Sequence, residues 1–307
     1  MTLSVQGQRP IARRGFRRVK YLIVNADDFG LAPGVNEGII HAHTHGMVTS
    51  SSLIANGPAF DHAIQLAKSN PELSIGVHLV LHRLHEEHPC AAAHRVPHLL
   101  TAEGYLADRR ILTKRLITGQ IPIDEVRIEW EAQVEKCIEA GIKPTHIDGH
   151  GHVHIYYPLR YVVLYLARKY AIPVLRNPME ALHTGPYMPP SWFLRKMALT
   201  LGSMPSVRFF RRHGMLMPTW FLGMGCSGHL SEVYLQKQLH RLPWGIIELM
   251  SHPGYRGVSE EDWNRSRYDR EGELKTLTDP NLMQWIHSEG DIHLVGYHDL
   301  PVLLSDA

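Results

Sequence analysis

Cysteine is scarce, with Cys90, Cys137 and Cys226 the only three in 307 residues. Their odd number and wide spacing match no disulfide framework, thiolate zinc site or Cys-x-x-Cys redox pair, so a reducing, cytoplasmic setting is expected. Long apolar runs are lacking as well. No stretch approaches the roughly 18 residues that a membrane helix requires, so no integral membrane segment is expected. Nor is there a surplus of one charge: Lys and Arg number 32 and Asp and Glu 30. Six basic residues, Arg9, Arg13, Arg14, Arg17, Arg18 and Lys20, fall in an acid-free beginning, which leaves 26 basic against 30 acidic residues beyond it. A basic nucleic-acid face is therefore not expected. Residues 1–18 lack the apolar core of a secretory signal and read as a disordered basic leader ahead of one domain over 19–307.

What is present is an ordinary globular composition, 44% hydrophobic and 20% charged, together with 22 histidines. Strand-like runs at Val19–Asn25, Val48–Ile54, Leu73–Leu81 and Thr145–Asp148 alternate with helical patterns. The helices are Pro33 to Gly46, Phe60–Ser69 and a segment N-capped by Asp124 that runs to Gly141. Further strands are expected at Val174–Arg176, Trp220–Gly223, Ile246–Ser251 and Ile292–Gly296, with helices at Leu159–Tyr170, Ser231–Leu242 and Leu282–Ser288 between them. Eight strands alternating with helices predict an α/β fold, an irregular, TIM-barrel-like β/α barrel, with an open doubly wound sheet as the alternative. Residues 177–219, rich in Pro and Met, read as an insertion or lid with a helix at Ser191–Leu201.

The candidate chemistry lies at the ends of these strands. Asp27 and Asp28 close the first, His78 comes late in the third, Arg176 ends the fifth, His252 ends the seventh, and His298 and Asp299 follow the last. In a β/α barrel such ends converge on one mouth. Two adjacent carboxylates repel unless a cation neutralises them, so one Asp can ligate a metal while its neighbour stays free as a base. His146, Asp148, His150, His152 and His154 recur every second residue and would share one face of an extended segment. Two imidazoles and a carboxylate leave positions open for water and substrate, as in catalytic metal sites. Spacing does not say which of the four histidines in this run binds the ion. Such a ligand set suits zinc, cobalt, iron or manganese better than magnesium. Trp192, Phe193, Trp220 and Phe221 could stack on sugar rings, although core packing is the commoner role of such residues.

The stretches YLIVNADDFG (21–30), GVHL (76–79), PTHIDGHGHVH (144–154) and ELMSHPG (248–254) together resemble the YdjC-like carbohydrate deacetylase family, which includes chitooligosaccharide deacetylases and hopanoid-associated relatives. The match runs in order over nearly the whole chain. The resemblance implies a deformed β/α barrel, often a homodimer, that hydrolyses the acetamido group of an N-acetylated sugar with a divalent ion, usually magnesium. By position it implies Asp28, His78 and His150 as metal ligands, Asp27 as general base and His252 as general acid. Arg176, His146, Asp148, His152, His154 and Asp299 are expected to touch substrate or support the ligands. The sequence departs from the family pattern at His298, where relatives often carry Arg, and in its 177–219 insertion. Two other readings are another barrel metallohydrolase, such as a phosphoesterase or cyclic-amide hydrolase, and a non-catalytic carbohydrate-binding barrel.

Overall fold

The computed structural model describes residues 18–82, 87–180, 190–255 and 268–305, apart from the side chains of residues 190–193 and 195. The basic leader expected over 1–18 thus lies almost wholly outside the described residues. Eight parallel strands form one curled sheet: β1 (Lys20–Phe29), β2 (Ser50–Leu53), β3 (Ser74–Leu79), β4 (His146–Gly149), β5 (Val174–Leu175), β6 (Trp220–Leu222), β7 (Gly245–Ser251) and β8 (Ile292–Leu294). Their order is β5-β4-β3-β2-β1-β7-β6, and single bridges, Val174 to Leu216 and Glu180 to Phe221, join the two outer ends. The result is the deformed β/α barrel, a single domain.

β1 is the axis of the sheet. It pairs with β7 over seven residues, while β8 and β2 share its other side, β8 at Lys20–Leu22 and β2 from Asn25 onward. Alternation along each strand then sorts side chains between two environments. Leu22, Val24 and Ala26 pack outward in the main apolar cluster, whereas Ile23 joins Val174, Ile246, Tyr297 and Leu300 in a small cluster inside the barrel. Asn25 and Asp27 continue the inward row above Ile23. The interior is therefore apolar at the strand starts and polar toward the strand ends.

Helices cover the outside. They are α1 (Pro33–Thr44), α2 (Phe60–Ser69), α3 (Arg109–Ile117), α4 (Ile123–Glu139), α5 (Arg160–Lys169), α6 (Pro190–Arg212), α7 (Glu232–Arg241), α8 (Arg270–Leu277), α9 (Pro280–Ser288) and α10 (Leu300–Ser305). The apolar positions of α4 bury Val126, Trp130, Val134 and Cys137, as their helical spacing requires. Its N-cap is Pro122 rather than Asp124. Asp124 instead sits in the first turn and meets Arg127 Nε at 3.2 Å. The insertion helix is longer than Ser191–Leu201, since α6 runs on through Pro205 to Arg212. All three cysteines are free. Among the described residues no helix is long and apolar enough to cross a membrane.

Candidate active site at the strand ends

β1 brings two adjacent carboxylates to one place by breaking its own alternation. In a regular strand Asp27 and Asp28 would face opposite sides of the sheet. The register against β2 shifts between Ala26 and Phe29, and Asp28 takes a left-handed φ of 72°. Such a bulge re-aims side chains at a cost in backbone strain that surrounding contacts must hold. Gly30 follows at φ 93°, and its N–H donates to Asn36 Oδ1 of α1 at 2.7 Å, which fixes the turn.

Asp27 faces Arg176. The two terminal guanidinium nitrogens meet the two carboxylate oxygens at 2.8 and 2.6 Å, and Asn25 Nδ2 donates to Oδ1 at 2.8 Å. Arg176, fully buried just beyond β5, also reaches Glu248 of β7 and Asp148 of β4, each at 2.7 Å. One cation thus ties three carboxylates from three strands. Burial opposes its charge, but Asp148, Asp27 and Glu248 hold its pKa well above the ordinary value. Burial also disfavours an ionised Asp148, yet Arg176 and His78 outweigh it and keep this acid below the usual carboxylate range. Glu248 is the surplus acid, pushed up to about 7 by burial against the pull of Arg176.

Asp28 faces a different set. Its Oδ1 lies 3.2 Å from His150 Nδ1 and 3.8 Å from His78 Nε2, and its Oδ2 accepts from Arg270 at 2.6 Å. Ligand atoms of Asp28, His78 and His150 all fall within 4.8 Å of one another. His78 Nδ1 is fixed by Asp148 Oδ1 at 2.8 Å, whereas its buried Nε2 has no hydrogen-bond partner among the described residues. A carboxylate on one ring nitrogen, with the other left open, is how ligating histidines are oriented. These residues therefore fit a divalent cation. Burial works against a charged His78, but Asp148, Asp27 and Asp28 raise its pKa to about 9, so a proton competes with a cation for Nε2. Ligand atoms of Asp27, His78 and Asp148 also lie within 4.8 Å of one another. There the guanidinium of Arg176 already supplies the positive charge.

His252 follows β7. Its N–H donates to Glu273 Oε2 at 2.6 Å, its ring stacks on Tyr268 at 4.2 Å, and Nδ1 lies 3.5 Å from Ser227 Oγ. Burial lowers its pKa to about 4, with Asp28 and Asp27 opposing. Asp27, His150, His152 and His252 line a single cavity of about 100 Å³, walled also by Lys196 and Leu199 of α6 and by Arg109 of α3.

The remaining expected residues divide. The 146–154 run does not stay extended: β4 stops at Gly149, and 150–155 turns as a 3-10 segment with Gly151 and His152 left-handed. Gly151 is free to take that conformation, so the every-second-residue face breaks up. His146 lies deep in the barrel, stacked 3.7 Å from Tyr297 and 3.2 Å from Ser52 Oγ, which in turn donates to Asp148 at 2.8 Å. His154 Nε2 meets the Arg176 carbonyl at 3.3 Å. Asp299 is not brought to the mouth. Its Oδ2 accepts from Gly296 N–H at 2.8 Å, while Tyr297 and His298 bond Ser50 and Ser74 at the starts of β2 and β3. The strand β8 is short and low on β1, so the chain after it closes the opposite end. Phe221 is core, and Trp220 is partly buried with its indole N–H 3.4 Å from the Trp244 carbonyl. The side chains of Trp192 and Phe193 lie outside those described.

Sequence reasoning missed Arg270, Asn25, Ser52, Glu273 and Lys196, and quoted Glu248 only within a motif. A carboxylate within the apolar run Ile246–Met250 was a usable signal for Glu248. Arg270 gave none, as it reaches Asp28 from 242 positions away.

The chain matches the family of YdjC-like proteins over residues 21–288. It is 36% identical to a carbohydrate deacetylase of Brevibacillus brevis, over 91% of this chain and 99% of that one. It is 33% identical to the carbohydrate deacetylase of Mus musculus, over 93% and 96% of the two chains. Among solved structures, a protein from Enterococcus faecalis named for cellobiose-phosphate cleavage superposes with a TM-score of 0.76 at 30% identity, covering 92% of this chain and 99% of that one. With its barrel, its paired acids and a match that spans nearly its full length, this chain belongs to the YdjC-like family.

Proposed function

We propose that this chain is a carbohydrate deacetylase that hydrolyses the acetamido group of an N-acetylated sugar, with one divalent cation held by Asp28, His78 and His150. The observation that carries the reading is the convergence of that trio beside an Arg176-clamped Asp27 at the mouth of a YdjC-like barrel. When bound, the cation supplies Lewis-acid polarisation of the acetyl carbonyl and acidification of a water. Asp27 is the base: it lines the cavity, and Arg176 and Asn25 fix its orientation so that it takes the proton of the attacking water. His252 is the acid. The amine departs only once protonated, and the ring, which burial holds neutral at rest, relays to it the proton that Asp27 took from the water. Leu199 and Met224 add apolar surface to the cavity wall.

The ion's identity is a finer matter. Two imidazoles and a carboxylate favour zinc, cobalt, iron or manganese on softness, while the family resemblance favours magnesium. Free cysteines support a reducing, cytoplasmic home, and a homodimer is checked by light scattering. The test of the reaction is acetate release from N-acetylglucosamine oligomers and glycosides by chelated enzyme, then by enzyme restored with each ion in turn. Chelation should abolish release and one ion should restore it. Release that survives chelation, or none from any N-acetyl sugar with any ion, would overturn the reading.

A further inference from the structure

A buried lysine in the wall of a cavity needs a reason, because lysine is seldom fully buried without one. Lys196 of α6 is 2% exposed. Its Nζ lies 2.9 Å from Glu180 Oε1, which is its one hydrogen-bond partner among the described residues. An ammonium carries three donors, so two have no partner among the described residues. Glu180 is itself firmly placed, accepting from Gly225 N–H at 3.0 Å and from the Tyr234 hydroxyl at 3.2 Å, while its carbonyl accepts from Thr200 at 3.2 Å. The carboxylate thus compensates the charge of Lys196 and holds α6 at the cavity, where Lys196 stands among the lining residues with Asp27 and His252.

A second observation points to the same space. His152 lines this cavity, is held at a left-handed φ of 62°, and buries an Nδ1 with no hydrogen-bond partner among the described residues. Strained non-glycine residues cluster at ligand-binding sites, and a buried polar atom without a partner calls for one.

We propose that Lys196 and His152 form a recognition site for ring hydroxyls flanking the acetamido group, with Lys196 donating to hydroxyl oxygens and His152 completing its unmet bond. This rests on the deacetylase reading. Lys196 therefore determines specificity for a polyhydroxyl ring rather than taking part in the chemistry.

The test compares metal-loaded wild type, Lys196→Met and Lys196→Arg, with a Lys196→Met/Glu180→Gln pair that leaves no buried carboxylate unpartnered. Two substrates are used: N-acetylglucosamine oligomers, and N-cyclohexylacetamide, whose ring lacks hydroxyls. Loss of a charged hydrogen bond should raise KM for the sugar about 10- to 100-fold with kcat changed less than about threefold, Lys196→Arg recovering part of the loss. The double variant should behave as Lys196→Met, and turnover of the hydroxyl-free amide should be the same in every variant. Calorimetry with the deacetylated oligomer should weaken by the same factor. An unchanged sugar KM, or equal losses on both substrates, would overturn the proposal. Should wild type act on neither substrate, the reaction reading fails, and the calorimetry still decides whether Lys196 recognises the sugar.

Discussion

Arg176 donates to Asp27, Asp148 and Glu248 from a fully buried position, so its replacement strands three carboxylates at once. Breaking a buried pair costs about 3–5 kcal/mol, because the partner left behind has lost its water as well as its counter-ion. Arg176→Met should lower stability by at least that order in denaturant melts, and a near-neutral effect would contradict the network described. Glu248 gives a pH signature. Its folded pKa of about 7 stands above the ordinary 4.5, so between those values the folded chain holds a proton that the unfolded chain has lost. The contribution of Glu248 to stability then falls as pH rises from about 4.5 to about 7 and levels off above. Glu273, pushed up to about 7 by burial, adds to the fall. Glu248→Gln removes the contribution of Glu248, so the unfolding free energy of wild type relative to the variant should fall between pH 5 and 7. Parallel slopes would contradict the assignment.

At the scale of elements, α1 lies against the turn that carries His252. A Cβ built on Gly38 would stand 2.5 Å from the Gly254 Cα, backbone against helix, with no flexible side chain to give way. Gly38→Ala should therefore cost about 1–3 kcal/mol by overpacking and displace the turn after β7, which a melt and an acetate assay would register together. An alanine tolerated without loss in either would show that the helix has room to move. The elements that were legible in the sequence are those whose pattern is their environment. Phe60–Ser69 is α2 to the residue, and each of the eight strand runs holds a strand, because buried parallel strands need β-branched and apolar residues. α3 went unread since it buries only Leu112, and α8 since acids and a glycine fill its first turn. The 146–154 run misled for a physical reason: period-two spacing describes a strand, and glycines at 149 and 151 let the chain leave the sheet. For the site, carboxylates and histidines at strand ends were visible. Arg270, the partner of Asp28, and Lys196, which stands in the cavity wall, were not, since long-range contacts leave no local pattern.

For the whole molecule, the curl of one parallel sheet is what turns scattered residues into a site. Apolar side chains and Tyr297 fill the barrel at the strand starts, a layer of buried charge sits above them, and the mouth receives two adjacent acids with separate company. Asp27 is held by Arg176 from just beyond β5, and Asp28 by Arg270 from α8, beside two imidazoles. The central claim is this division of labour, and it is tested most directly by metal content and acetate release measured side by side for Asp27→Asn and Asp28→Asn. Asp28→Asn should lose both ion and activity. Asp27→Asn should keep the ion yet lose about 10²–10⁴-fold in turnover, the usual contribution of a general base. An Asp27→Asn enzyme that retained its ion and most of its activity would contradict the account.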